Sequence, residues 1–217
     1  MQGHDKIATR GSGQTPATVS DRGVLRGSIV LALVSLAGFG FLYSLAGVGV
    51  GQALFPAAAN GSLIEDQGRI AGSSLVAQPF AGDRYFRPRP SVAGYNPMAM
   101  SGSNQARTNP ALRAQLTAAR AAVAGREGVA PEQVPGDLIT HSGSGIDPHI
   151  SPQAAAIQVA RIARARGVGE EAVAGLVARY SKGPQFGVFG RPRVNVLELN
   201  LALDRQLPPV AAAGAGR

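Results

Sequence analysis

Cysteine is absent from the 217 residues, and so is tryptophan. Without a thiol there is no disulfide, no thiolate nucleophile, no thiolate zinc site and no cysteine-held iron–sulfur cluster. Aromatic side chains make up 5% of the chain, too few for a platform that stacks single-stranded nucleic acid. Three histidines are a poor supply for an imidazole-rich metal site. Apolar residues, by contrast, reach 45%, enough to build a core, and glycine (29) and proline (15) are plentiful. The net charge of +8 fits an anionic partner or surface.

Charge is missing altogether between Arg26 and Glu65. The apolar part of this gap, residues 27–54, is longer than the roughly 20 helical residues a bilayer core requires. Its glycines weaken a helix in water but are tolerated in lipid, where unpaired backbone is costly. Arg22, Arg26 and Ala57-Ala58-Ala59 also resemble a signal peptide with a cleavage site. The run far exceeds the usual apolar segment of about 7–15 residues, which favours a retained transmembrane anchor. Arg10, Arg22 and Arg26 precede the span, whereas the first positive charge after it is Arg69. That asymmetry predicts a cytoplasmic N-terminus and an extracytoplasmic C-terminal domain, away from nucleic acid. The expected organisation is a flexible cytoplasmic tail over 1–26, an anchor over 27–54, one compact domain over 61–208 and a disordered tail over 209–217. Within the anchor, Gly47 and Gly51 form the one Gly-x-x-x-Gly spacing and are candidate helix-packing positions.

The outer domain reads as α+β, with a small sheet and about three helices. Asn109-Pro110 and Ser151-Pro152 each pair an N-cap with proline at the first helical position. The first helix runs to Gly125, with Leu112, Leu116, Ala119 and Val123 at helical spacing. The second runs from Ser151 to Gly167, with Arg161, Arg164 and Arg166 placed on other faces or near its end. The third spans about Glu170 to Ser181. Short strands are expected at Tyr85-Phe86, at Leu138–Thr140 and over Arg193–Leu197, after which Leu197–Arg205 continues as strand or short helix.

The densest polar segment is Thr140–Pro152, with Ser142, Ser144, Asp147 and His149. A serine hydrolase would use Ser142 or Ser144 with His149 and Asp147, but the G-x-S-x-G elbow is absent. A metal site would use His141, Asp147 and His149, whose spacing fits no familiar zinc pattern. No lysine follows the glycines as a phosphate loop requires. The remaining reading is a turn and helix cap whose side chains hold backbone. We therefore expect no catalytic residue and no metal ligand here.

Five blocks resemble the KdpC subunit of the bacterial high-affinity potassium-transporting P-type ATPase: GSLI at 61–64, YFRPRPS at 85–91, GSNQARTNPAL at 102–112, DLITHSGSGIDPHISPQAA at 137–155 and PRVNVLELNLALD at 192–204. The family commonly has glycine where Pro88 stands and a Gly-Gly pair near Ser101-Gly102. The resemblance implies a non-catalytic subunit of a four-part complex in the bacterial inner membrane. Its partners would be a channel-like potassium-translocating subunit, an ATP-hydrolysing P-type subunit and a small single-span subunit. It also implies a catalytic chaperone that raises the pump's ATP affinity, holding no cofactor of its own while the complex handles ATP and potassium. Candidate partner or ligand contacts in these blocks are Arg87, Arg89, Asn104, Asn109, Ser142, Ser144, Asp147, His149 and Asn195. The other class of function is a membrane-anchored envelope hydrolase using the Ser142–Ser151 loop.

Overall fold

The structure, a computed structural model, describes residues 23–209. Most of the two expected tails, 1–22 and 210–217, therefore lies outside the described residues. The chain divides into two compact units, Met1–Pro56 and Ala57–Arg217.

The first unit holds helix α1, Val24–Leu54, the one helix among the described residues long and apolar enough to cross a membrane. No residue of it is buried within the chain. An all-round apolar helix with no protein cover is what lipid, not water, accommodates. Over Leu36–Leu42 the helix is π-helical, and the Tyr43 amide reaches back five residues to Gly38. Gly47 and Gly51 lie in the helical turns that follow, and a Cβ built on Gly47 would meet nothing within 4 Å.

The second unit opens with an antiparallel hairpin, β1 (Leu63–Asp66) and β2 (Arg69–Ser73), with a bulge at Ile64/Glu65. Gln67 and Gly68 form its two-residue turn, both at positive φ (49° and 76°). That combination marks a primed turn, whose twist matches the flanking strands. Helix α2, Pro110–Glu127, starts at Asn109, whose side chain accepts the Ala111 amide at 2.9 Å. It runs past Gly125 and stops at Gly128, which adopts the left-handed conformation (φ 70°).

The expected second helix is two helices, α3 (Pro152–Ala156) and α4 (Val159–Arg166), broken at Ile157-Gln158. The break turns Gln158 inward, where it is fully buried. Helix α5, Glu170–Tyr180, carries both glutamates in its first turn, where the helix dipole favours them. A second sheet has strand order β3 (His149–Ile150), β5 (Arg193–Asn195), β4 (Ser181–Lys182), all antiparallel. At Asn195 the chain leaves β5 directly into helix α6, Val196–Gln206, because the Asn195 carboxamide caps the Glu198 amide at 3.1 Å. The core is built from Ile162, Val173, Leu176, Val194, Leu199 and Leu203, all fully buried.

Two expected strands are absent. Leu138 ends a short 3-10 turn, Gly136–Leu138, and Ile139 follows its proline-led start without a strand partner. Tyr85-Phe86 follows a turn and pairs with no strand, since side chains supply the Phe86 hydrogen bonds.

Candidate functional site

The strap over residues 83–90 runs between helices without regular structure, and long polar side chains satisfy its peptide groups. Asn200, fully buried in α6, clamps Phe86 with both ends of its carboxamide, accepting the Phe86 amide and donating to its carbonyl, each at 2.9 Å. Gln158 does the same for Arg87, at 2.8 and 3.3 Å. Arg161 donates to the carbonyls of Asp83 and Tyr85, and Arg166 to that of Arg84 at 2.8 Å.

These arginines, expected on other faces than the apolar stripe or near the helix end, are 7% and 1% exposed, so both are part of the interior. Buried guanidinium needs an anion. Arg161 has Glu127 at 2.8 Å, whose side chain is fully buried and also meets Arg126 at 2.6 Å. Arg166 has Asp204 at 2.8 Å and stacks 5.2 Å from the centre of the Tyr85 ring. Burial and the adjacent Asp204 carboxylate push the Tyr85 phenol above its ordinary pKa.

The strap is joined to the Thr140–Pro152 loop. Arg89 donates to Asp147 at 3.0 Å and to the Thr140 hydroxyl and His141 carbonyl at 3.3 Å. The Ser142 amide donates to the Pro90 carbonyl at 3.0 Å, and the Ser91 hydroxyl to the Gly145 carbonyl. Gly145 sits at φ 75°, and a Cβ there would lie 2.7 Å from the Ala93 side chain. Only glycine satisfies both the backbone conformation and the close approach.

Within the loop the polar side chains hold backbone. The buried Ser142 hydroxyl accepts the Asp147 amide at 3.4 Å, and Ser144 accepts the Ile146 amide at 3.2 Å. Asp147 accepts the His149 amide at 3.0 Å and lies 3.5 Å from the His149 ring. Burial pushes the Asp147 carboxyl up, but the hydrogen bonds from His149 and Arg89 outweigh it and hold the pKa below its ordinary value. Ser151 caps α3 by accepting the Ala154 amide at 3.0 Å.

The structure therefore brings Arg89, Ser142, Ser144, Asp147 and His149 together, with Asn195 opposite His149 in the strand register. Asn195 is 2% exposed and donates to the Ser74 carbonyl at 2.8 Å. Arg87 belongs to the strap, Asn109 is a helix cap, and Asn104 is exposed with φ 50°. Neither serine hydroxyl is hydrogen-bonded to His149, while His141 faces Gln115. No group of three His, Asp or Glu side chains among the described residues is arranged to hold a metal.

Beside the loop opens a cleft of about 720 Å³, with Arg89, His149, Ser151, Gln153, Arg191 and Arg193 in its lining. Sequence reading of the polar loop misses Gln153, Arg191 and Arg193, because two of them arrive from the β5 side. It also misses Gln158, Arg161, Arg166 and Asn200, which organise the strap. The available signal was the density of strong donors on otherwise apolar helix faces.

A membrane-length helix carrying an α+β domain, whose polar loop is occupied in holding its own backbone, has the build of an anchored accessory protein. A family model described as KdpC, the K+-transporting ATPase c chain, matches residues 25–205. The chain is 57% identical over 185 residues to the potassium-transporting ATPase KdpC subunit of Xanthomonas oryzae pv. oryzae, covering 85% of this chain and 88% of that one. It is 48% identical over 181 residues to the corresponding subunit of Shewanella putrefaciens (83% and 89% covered). For Kineococcus radiotolerans the identity is 47% over 185 residues (84% and 94% covered). The chain belongs to the KdpC family and is thus an accessory subunit of a potassium pump.

Proposed function

We propose that this chain is a non-catalytic, single-pass subunit of the bacterial inner membrane, with its N-terminus in the cytoplasm and residues 61–208 outside. It assembles with a channel-like potassium-translocating subunit, an ATP-hydrolysing P-type subunit and a small single-span subunit. Its contribution to ATP use is conformational. An outer domain cannot touch cytoplasmic ATP, so a raised ATP affinity is transmitted through the membrane subunits. One helix cannot line an ion path, so ATP and potassium are handled by the partners, and this chain holds no cofactor.

The match to the KdpC family over residues 25–205 carries this reading. It is supported by the Lys/Arg asymmetry around α1 and by the loop, where Ser142, Ser144 and Asp147 hold peptide groups. Mild-detergent extraction should recover the chain with polytopic subunits, and the complex lacking it should show a higher KM for ATP in potassium-dependent hydrolysis. Recovery of a lone chain with esterase or peptidase activity overturns the reading. Since the native chain has no cysteine, Glu132→Cys alone should label with an impermeant thiol reagent on intact spheroplasts. Protection there reverses the topology.

A further inference from the structure

Between β4 and β5 the chain makes a tight excursion, Gln185–Phe189, whose tip is apolar and uncovered. Phe186, Val188 and Phe189 are 84%, 76% and 67% exposed. The backbone of the tip closes on itself. The Gln185 amide donates to the Phe189 carbonyl at 2.7 Å, and the Phe189 amide returns the bond at 2.9 Å. The Gly187 and Val188 amides donate to Pro184 and Gln185 at 3.1 and 3.2 Å. A segment with paired amides leaves water at much lower cost than one with open donors. Phe186 is held at φ 54°, a left-handed conformation uncommon for a bulky side chain, so the turn keeps backbone strain while presenting its ring to solvent.

The surroundings are cationic. Lys182, Arg191 and Arg193 flank the tip in sequence, and residues 181–193 contain no acidic residue; Lys182 is paired with Glu198 at 2.9 Å, and Asp137 lines the cleft that Arg191 and Arg193 also line. Arg191 and Arg193 enter none of the ion pairs among the described residues. Aromatic and aliphatic side chains followed in the chain by two arginines outside those ion pairs match the chemistry of an anionic lipid surface, with acyl boundary for the rings and phosphate for the guanidinium groups. The chain also tethers itself to such a surface, because Leu54 ends α1 and Leu63 begins β1. A tether of that length keeps the local lipid concentration high, so weak contacts suffice.

We propose that the Gln185–Phe189 tip docks into the headgroup region of an anionic bilayer leaflet, with Arg191 and Arg193 on the lipid phosphates. This rests on α1 being a membrane anchor. Full-length chain carrying Val188→Cys, labelled with an environment-sensitive fluorophore, would be placed in nanodiscs of phosphatidylcholine alone or mixed equally with phosphatidylglycerol. Glu132→Cys and Leu36→Cys serve as references. In the anionic discs the Val188 probe should shift to shorter wavelength and be quenched by spin-labelled lipid. The Glu132 probe should remain accessible to aqueous iodide. Each cation near the surface favours the docked state about five-fold, so Arg191→Ser should lower the docked-to-free ratio by that factor at unchanged melting temperature.

Lipid quenching at Leu36 with none at Val188 overturns the docking tip and leaves the anchor intact. Absence at both positions overturns the anchor and the proposal together. A Val188 probe that stays aqueous in every disc, yet is shielded once the other subunits are added, assigns the tip to a protein groove and likewise overturns the proposal.

Discussion

The domain contains two irregular segments that touch each other and differ in how much each holds itself. The strap at 83–90 is held from outside, by Gln158 in the break between α3 and α4 and by Arg161, Arg166 and Asn200 on helices, all more than 70 positions later in the chain. The Thr140–Pro152 loop adds short-range ties of its own, with Ser142, Ser144, Asp147 and Ser151 reaching two to five positions along the chain, to contacts arriving from Ala77, Arg89, Ser91 and Val196. Long flexible side chains lose more rotamer freedom on ordering than serine does, and guanidinium burial is costly without a carboxylate. The strap is therefore a cooperative element that exists only once the helices have packed. The loop is a set of local turns, tied to the strap chiefly through Arg89, Ser91 and Pro90.

That contrast ranks the effects of substitution. The largest is expected for Arg161→Met, which keeps volume but strips Glu127 of its buried partner and leaves the Asp83 and Tyr85 carbonyls of the strap without the donor they share. Breaking a buried pair on one side costs about 3–5 kcal/mol. Thermal melting of the detergent-solubilised chain should fall steeply, and a loss no larger than a surface substitution produces would break the distinction.

Asp147 tests the link between the segments by its pH dependence. Its folded pKa lies below the ordinary carboxylate value, so the unfolded chain takes up that proton first as pH falls. The stabilisation is complete above about pH 4 and is lost as pH drops through the folded value. Asp147→Asn should be less stable than the parent at neutral pH and should flatten the acid limb of the stability curve. An unchanged acid limb would remove Asp147 from the account. The smallest effect should come from Ser151→Ala, about 1 kcal/mol for a lost N-cap. A cost matching that of Arg161→Met would mean that the loop is as cooperative as the strap.

The same contrast explains what was legible in the sequence. Asn109-Pro110 and Ser151-Pro152 announce helix starts because capping is local chemistry, and both caps are formed. The uncharged run before Glu65 announces α1 by length alone. Helical phase places Arg161 and Arg166 off the apolar stripe or near the helix end, and says nothing of the strap that needs their donors. The helix break at Ile157-Gln158 has the same origin, since the Gln158 carboxamide is engaged 71 positions away. Tyr85-Phe86 has strand composition, but its hydrogen bonds go to side chains, which propensity does not register. The Leu63–Ser73 hairpin carries little sequence signal, because Gln67-Gly68 is a weaker turn signal than Asn-Gly, and Glu65-Asp66 interrupts the alternation.

The π-helical stretch at Leu36–Leu42 acts as a phase shifter. Each helical residue advances the side-chain direction by about 100°, and an i→i+5 bond admits one residue beyond the regular count. Side chains before Leu36 and after Leu42 consequently belong to two angular sectors, not one continuous stripe. The sector marked by Gly47 and Gly51 does not extend by simple heptad counting to Val24–Ser35. A substitution scan along α1 will therefore show two offset periodic patterns, with the discontinuity at Gly38–Gly40.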